Sequence, residues 1–203
     1  MIFLEFKDED LRALINEIIN QREIDLIEIP GIDLYMDQVT TFFDDRLNYL
    51  KRDEEDKILT KTMINNYTKA KILMPAKNKK YTKNHMVLLI LIYHLKQVLS
   101  INDINMLLSP LIKSKEASED KGMPLEELYS YFLEMKKGEE ESFDKDFLEK
   151  MELINNKSFQ GEADNDDYMQ LLLTVLTLIN QANMQKRMAE KIIDNFLKSM
   201  YQK

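Results

Sequence analysis

Glycine and proline are so rare in this chain that long regular elements must occupy most of it. Four glycines and four prolines occur among the 203 residues, and these residue types are the strongest local breaks in helices and strands. The prolines, Pro30, Pro75, Pro110 and Pro124, each stand where a run of regularly spaced apolar residues begins or ends. Alternation typical of strands is almost confined to residues 3–6 and 24–29. We therefore predict an all-α fold.

Apolar residues three and four positions apart predict a series of amphipathic helices. In chain order they cover residues 8–21, 33–50, 61–70, 82–98, 100–108, 124–135, 143–154 and 168–200. Thr60 and Thr82 are predicted N-caps, and Ser100 with Asp103 resembles a capping box. Pro110 is expected to end its helix, and the acidic residues 138–141 are expected to separate two others. In the last helix, residues 181–187 are a further candidate break.

The charge of the chain is distributed very unevenly. The net charge is −8, but residues 57–102 contain no Asp or Glu. The remaining residues carry 19 of the 28 basic residues and all 36 acidic ones, a net charge of −17. The nine lysines of the acid-free segment are Lys57, Lys61, Lys69, Lys71, Lys77, Lys79, Lys80, Lys83 and Lys96. This segment favours binding to a polyanion, and a solvated face that keeps the protein soluble is the alternative.

The predicted helix at residues 61–70 separates its residue types cleanly. At 100° per residue, Met63, Ile64, Tyr67 and Ala70 fall on one side. The other side offers amide, hydroxyl and ammonium groups, from Lys61, Thr62, Asn65, Asn66 and Lys69. Asn can bond to adenine, Lys to guanine or phosphate, and Thr to a base edge or phosphate. The pattern is typical of a helix that enters the DNA major groove, and exposed residues without a function are the alternative.

Residues 58–108, about a quarter of the chain, resemble the MerR family of winged helix-turn-helix regulators. Residues 64–73 (INNYTKAKIL) correspond to the family pattern I-R-x-Y-E-x-x-G-L-L. Pro75 and then residues 79–82 (KKYT) correspond to the wing pattern R-x-Y-[ST]. Residues 100–108 (SINDINMLL) correspond to the pattern S-[LI]-x-[DE]-I-x-x-L-L. The resemblance implies a winged helix-turn-helix and transcriptional regulation. We identify the chain as a member of a bacterial domain-of-unknown-function family grouped with MerR-like regulators.

The match departs from the MerR pattern at several positions that matter for DNA binding. Asn65 stands where the pattern has Arg, Thr68 where it has an acid, Lys71 where it has Gly, and Lys79 where it has the wing Arg. The turn after Val98 is one residue short. The resemblance therefore implies the winged helix-turn-helix and a regulatory role, but not a known ligand.

Three segments are expected from the pattern and the resemblance. Residues 1–32 form an N-terminal helical extension, residues 33–112 the winged helix-turn-helix domain, and residues 113–203 a C-terminal helical domain for dimerisation or effector binding, with a polar linker at 113–122. We predict a cytoplasmic, sequence-specific regulator that binds double-stranded DNA as a homodimer, with an unidentified small-molecule effector left open. The expected DNA contacts are Lys61, Thr62, Asn65, Asn66 and Lys69 in the groove and Lys77, Lys79, Lys80 and Lys83 on phosphates.

No enzyme, cofactor, metal site or membrane association is expected from the sequence. The chain has no cysteine, its longest apolar run covers only residues 86–93, and its N-terminus does not resemble a signal peptide. No motif for phosphate binding, a nucleophilic serine or zinc occurs. His85 and His94 are nine residues apart on opposite helix faces and are interpreted as surface or core-edge residues. Two alternatives remain: a protein-interaction adaptor that binds an acidic partner, and a small-molecule-binding helical bundle with a pocket in residues 124–200.

Overall fold

The computed structural model describes residues 8–117, 125–157 and 166–198, and the all-α prediction is confirmed. The helices are α1 (Asp8–Ile19), α2 (Met36–Arg46), α3 (Lys61–Lys69), α4 (Lys83–Lys96), α5 (Ile101–Ala117), α6 (Leu125–Asn155) and α7 (Asp166–Ile192). A 3-10 turn follows α2 at Asn48–Leu50, and a π-helical turn at Ile193–Leu197 extends α7. Two short antiparallel strands, β1 (Leu34–Tyr35) and β2 (Lys80–Tyr81), pair with each other. No described helix is long and apolar enough to cross a membrane.

The chain divides into two compact units, and both α6 and α7 contribute to each. The first unit combines Met1–Arg22 with Glu134–Arg187, and the second combines Glu23–Leu133 with Met188–Lys203. The three functional segments expected from the sequence, 1–32, 33–112 and 113–203, stay a prediction.

The core of the second unit is built around α4. This helix is apolar on all sides, and Val87, Leu88, Leu89, Ile90 and Ile92 are fully buried. A helix of this kind is stable only when neighbours cover its whole circumference. The covering elements bury their own apolar residues in the same cluster, which includes Val39 and Phe43 of α2, Ile64 and Tyr67 of α3, and Ile104 and Leu108 of α5.

The first unit has a much smaller core, formed by α1 and the parts of α6 and α7 that belong to it. Its buried apolar residues are Leu11, Ile15, Phe147, Met151 and Ile154. Leu173 and Leu178 of α7 pack against them while remaining partly exposed. Only one side of α7 is used in this way.

The three predicted helix starts are confirmed. The Thr60 hydroxyl accepts a hydrogen bond from the Met63 N–H at 3.1 Å. Ser100 and Asp103 form the expected capping box, in which the Asp103 N–H bonds to the Ser100 hydroxyl at 3.2 Å and the Ser100 N–H to the Asp103 carboxylate at 3.3 Å. Thr82 precedes α4 as its N-cap. Local hydrogen bonding of short polar side chains therefore sets these boundaries.

The predicted helix breaks are wrong. Pro110 lies inside α5 rather than at its end. Ile104, Leu108 and Ile112 are spaced four apart and buried on both sides of the proline, so packing offsets the hydrogen bond that Pro110 removes. Residues 113–117 of the predicted polar linker therefore belong to α5, and residues 118–122 lie outside the described part of the chain.

Two further breaks are also absent. Residues 138–141 belong to one continuous α6, where an i, i+4 pair joins the Lys136 ammonium to the Glu140 carboxylate at 3.8 Å. One glycine in a helix costs only about 1 kcal/mol, which the flanking helix tolerates. Residues 181–187 continue α7, since none of them is Gly or Pro. Of the two strand-like stretches, residues 24–29 form no strand but contain a turn at residues 26–28, and residues 3–6 lie outside the described residues.

The helix expected over residues 33–50 is interrupted at both ends. Residues 34–35 form β1, so the helix begins only at Met36, where the Gln38 side chain accepts a hydrogen bond from the Tyr35 N–H at 2.9 Å. The last turn tightens to the 3-10 form after Leu47. The pairing of β1 with β2 is a contact between distant segments, and helical periodicity does not predict it.

Candidate nucleic-acid interface

Helix α3 lies with its apolar side buried and its polar side in solvent. Ile64 and Tyr67 are buried in the core of the second unit. The polar side is exposed along its whole length and comprises Lys61, Thr62, Asn65, Asn66 and Lys69. The two-sided character expected from the sequence is thus present, and the amide and ammonium groups lie on the solvent side of the helix.

The end of α3 is fixed by backbone hydrogen bonds and by a contact from α5. The Lys71 N–H bonds to the Thr68 carbonyl and the Ile72 N–H to the Tyr67 carbonyl, each at 3.0 Å. Lys71 has a φ of 58°, in the left-handed region that usually follows a helix closed in this way. The Asn105 side chain donates to the Ala70 carbonyl at 2.7 Å. These bonds hold the exposed face of α3 in one orientation on its core.

The predicted wing is a tight hairpin turn at residues 77–80. Lys77 and Lys80 exchange two backbone hydrogen bonds, of 2.9 and 3.1 Å. The two central residues, Asn78 and Lys79, have φ values of 51° and 63°, which is the backbone of a type I′ turn. Beyond the turn, Lys80 pairs with Tyr35 of β1. The turn therefore projects from a small sheet anchored to α2.

His85 joins the two ends of the segment that carries this turn. Its Nδ1 accepts a hydrogen bond from the Thr82 N–H at 3.1 Å, which places the ring proton on Nε2. Nε2 then donates to the Pro75 carbonyl at 3.3 Å. The ring is buried and meets Tyr81 edge-on at a centroid distance of 5.5 Å. The sequence interpretation of His85 as a surface or core-edge residue is wrong, because the ring closes the base of the turn inside the fold.

Three of the predicted DNA contacts already have partners within the chain. Lys61 forms an ion pair with Asp37 of α2, and Lys83 pairs with Glu126 of α6 at 3.0 Å. The Lys80 ammonium lies 5.1 Å from the centroid of the Tyr35 ring. These lysines would have to exchange partners to contact a phosphate. The acid-free segment does not predict these two ion pairs, because the carboxylates of Asp37 and Glu126 lie outside that segment.

The other predicted lysines are free within the part of the chain that the structure describes. Lys69, Lys77 and Lys79 are exposed and form no ion pair with another described residue. Lys71, which is not among the predicted DNA contacts, has the same properties. Its departure from the glycine of the MerR pattern was the signal that could have identified it. The candidate surface is therefore α3 with its exit and the hairpin turn at residues 77–80.

The second histidine lies away from this surface. His94 Nε2 is 3.3 Å from a carboxylate oxygen of Glu23, and its ring lies 5.5 Å from Phe132. Burial lowers the pKa of His94. Among the described residues, no three His, Asp or Glu side chains are placed to hold a metal ion.

The first unit contains an open groove between α6 and α7, with a volume of about 340 Å³. Phe143, Phe147 and Leu178 supply its apolar lining. At its polar side the Lys150 ammonium donates to the Gln181 side chain at 2.8 Å. The groove lies within the residues where an effector pocket was expected, and its use by a ligand stays a prediction.

One family model matches residues 24–132, which is more than half of the chain. The matched region contains α2 to α5, the hairpin turn and the whole candidate surface. It nearly coincides with the continuous part of the second unit, Glu23–Leu133. Searches of curated proteins and of solved structures returned no significant match. The chain belongs to the family described as Domain of unknown function (DUF1836).

Proposed function

We propose that this protein is a sequence-specific DNA-binding transcriptional regulator of the bacterial cytoplasm. The observation that carries the proposal is the exposed polar side of α3. The opposite, apolar side of α3 is buried in the core, and a cationic hairpin turn follows the helix in the chain. The order of two helices, a turn and two further helices also resembles the winged helix-turn-helix of MerR regulators. That resemblance is an analogy of fold, so the chemistry of the surface has to supply the functional argument.

The residues of α3 divide into base-reading and phosphate-binding candidates. Asn65 and Asn66 offer amides that match the donor and acceptor pair of adenine in the major groove. Thr62 can bond to a base edge or a phosphate, and Lys69 to guanine or a phosphate. Lys61 joins them only by exchanging Asp37 for a phosphate. We expect the specificity to come from Asn65 and Asn66, because phosphate contacts carry no sequence information.

The hairpin turn would contact the backbone beside the groove. Lys77 and Lys79 are exposed at this turn, and neither is neutralised by another described residue. The rest of the chain carries a net charge of −17, which repels a nucleic acid from other surfaces. The combination orients the duplex toward α3 and the turn. Binding of this kind releases counterions and weakens with added salt.

A homodimer is part of the proposal, and the exposed side of α7 supports it. Tyr168, Leu172, Val175 and Ile179 follow the seven-residue spacing of a helix pair, and each is between 38% and 55% exposed. Soluble monomers rarely leave a contiguous stripe of large apolar residues in water. A second copy would offer the same stripe, and helix-turn-helix dimers read half-sites about 34 Å apart.

The proposal is tested by selecting bound duplexes from a random-sequence library with the purified protein. We expect an enriched site that contains adenine, and we expect Asn65→Ala with Asn66→Ala to lose the enrichment while retaining salt-dependent affinity. Lys137→Ala, on the exposed side of α6 in the first unit, is the matched control and should select the wild-type site. A library without any enrichment would contradict sequence-specific binding. Failure to bind any duplex at low salt would favour the adaptor that binds an acidic protein.

A further inference from the structure

Three non-glycine residues in the described chain have a left-handed backbone, and all three lie within nine residues. They are Lys71, Asn78 and Lys79, with φ values of 58°, 51° and 63°. A side chain in this region costs about 1 kcal/mol or more, and asparagine tolerates it better than lysine. Glycine is the usual residue after a helix closed like α3 and at the second central position of a type I′ turn. Lysine therefore occupies two positions where glycine would relieve strain.

Neither lysine side chain forms an ion pair or a hydrogen bond with another described residue that would offset this strain. Lys71 and Lys79 are exposed, and neither forms an ion pair within the described residues. The backbone bonds that close α3 and the turn use main-chain atoms only, so glycine would form them equally well. Strained residues that persist without a compensating contact point to a function for their side chains.

The position of Lys71 indicates what that function is. It directly follows α3, two residues after the exposed Lys69, and it belongs to the acid-free segment. A cation there extends the charged face of α3 beyond the last turn. We propose that Lys71 binds a DNA phosphate together with Lys69. Lys71 and Lys79 are then the two positions where a strained backbone conformation places a lysine that contacts a phosphate. The inference rests on the proposed function and adds a residue that neither the sequence pattern nor the MerR resemblance selects.

A structural explanation for Lys71 is available and has to be separated from this one. A cation near the carboxyl end of a helix interacts favourably with the helix dipole. In that case Lys71→Gly would not change DNA affinity beyond any loss of folding. The phosphate contact predicts the opposite combination, in which the protein becomes as stable or more stable and binds DNA less well.

The test compares three glycine substitutions, Lys71→Gly, Lys79→Gly and Asn78→Gly, by thermal unfolding and by anisotropy of a labelled mixed-sequence duplex at several salt concentrations. We expect all three variants to unfold at the wild-type temperature or above it. Each lysine variant should bind the duplex about fivefold to tenfold more weakly near 0.1 M salt, and its salt slope should fall by about 0.9 per lost contact. Asn78→Gly relieves the same backbone strain without removing a charge, so its affinity and slope should equal those of the wild type.

Lys71→Arg distinguishes the effect of the charge from that of the backbone conformation. It keeps a cation at this position and should retain the wild-type affinity. If the wild type binds and Lys71→Gly has the same affinity and salt slope as Asn78→Gly, the inference is overturned while the proposed function stands. If the wild type does not bind the duplex at low salt, both are overturned.

Discussion

Helices α4 and α7 are both rich in apolar residues, but the chain buries them very differently. Eight consecutive or nearly consecutive positions of α4 are buried, from His85 to Tyr93. Among the α7 residues whose burial the structure describes, only Thr174 is buried, although Leu172, Val175, Leu176 and Ile179 are all large and apolar. The apolar residues of α4 are thus covered by neighbouring elements, whereas the described residues leave many of those in α7 exposed. The difference separates a folding core from a surface that is available for association.

The largest change in the free energy of unfolding is expected when a leucine is shortened in α4, and a leucine of α7 serves as the comparison. Leu89 of α4 is fully buried, and Leu176 of α7 is 56% exposed. We expect Leu89→Ala to lower the free energy of unfolding by about 2–5 kcal/mol, since it leaves a cavity. Leu176→Ala should change it by less than about 0.5 kcal/mol at dilute protein concentration. Urea unfolding measures both values, and equal losses would contradict the contrast.

The next prediction concerns association through α7. Replacing Val175 and Ile179 with lysine puts charges into the exposed stripe, so a dimer should dissociate while the helix content stays the same. We expect the dimer dissociation constant to rise more than tenfold, or by more than about 1.4 kcal/mol. Light scattering after gel filtration measures the mass, and Asn183→Lys is the control at an exposed polar position of α7. A wild-type protein that is monomeric at high concentration would remove the dimer from the proposal.

A smaller loss of unfolding free energy is expected when the N-cap of α3, which packs in the core around α4, is removed. The Thr60 hydroxyl caps α3, so Thr60→Ala should cost about 1 kcal/mol of unfolding free energy and Thr60→Ser much less. DNA affinity should fall with Thr60→Ala, because the first turn of α3 frays. Chemical denaturation and duplex anisotropy measure the two effects. Equal stability of the Ala and Ser variants would show that the cap contributes nothing.

The smallest expected effect is a pH dependence that belongs to α4, since both histidines of the chain lie there. Burial lowers the pKa of His94 in the folded protein below its ordinary value of 6.5. The unfolded state therefore takes up the proton first, and stability that is present above pH 6.5 is lost as the pH falls below it. We expect His94→Phe to reduce this slope in unfolding experiments. A steeper slope would mean that the Glu23 carboxylate dominates over burial at His94, and an unchanged slope that the two influences cancel.

Local interactions could be predicted from the sequence, and contacts between distant segments could not. The caps at Thr60 and Ser100 and the two-sided character of α3 depend on residues within one or two turns. The ion pairs of Lys61 with Asp37 and of Lys83 with Glu126 join residues far apart in sequence, so an acid-free stretch was no guide to which lysines are free.

Helix length shows the same limit. Pro110 was expected to end α5 by its own conformational preference, but the buried residues on both sides of it continue the helix. For α7, the sequence pattern predicts a core helix rather than a coiled coil, because Leu171, Leu178 and Ile192 widen its seven-residue apolar stripe. In the structure Leu178 packs against the small core of the first unit, while Ile192 belongs to the second unit and is 46% exposed.

The salt dependence of duplex binding by the wild type and by Lys69→Ala/Lys79→Ala tests directly whether α3 and the hairpin turn bind DNA. We predict that wild-type affinity falls steeply between about 50 and 200 mM salt, and that the slope of the double variant is shallower by about 1.8 per bound protomer. Lys137→Ala should follow the wild type. No wild-type binding at the lower salt concentration, or a double variant with the same slope, would contradict a DNA-binding surface at α3 and the hairpin turn.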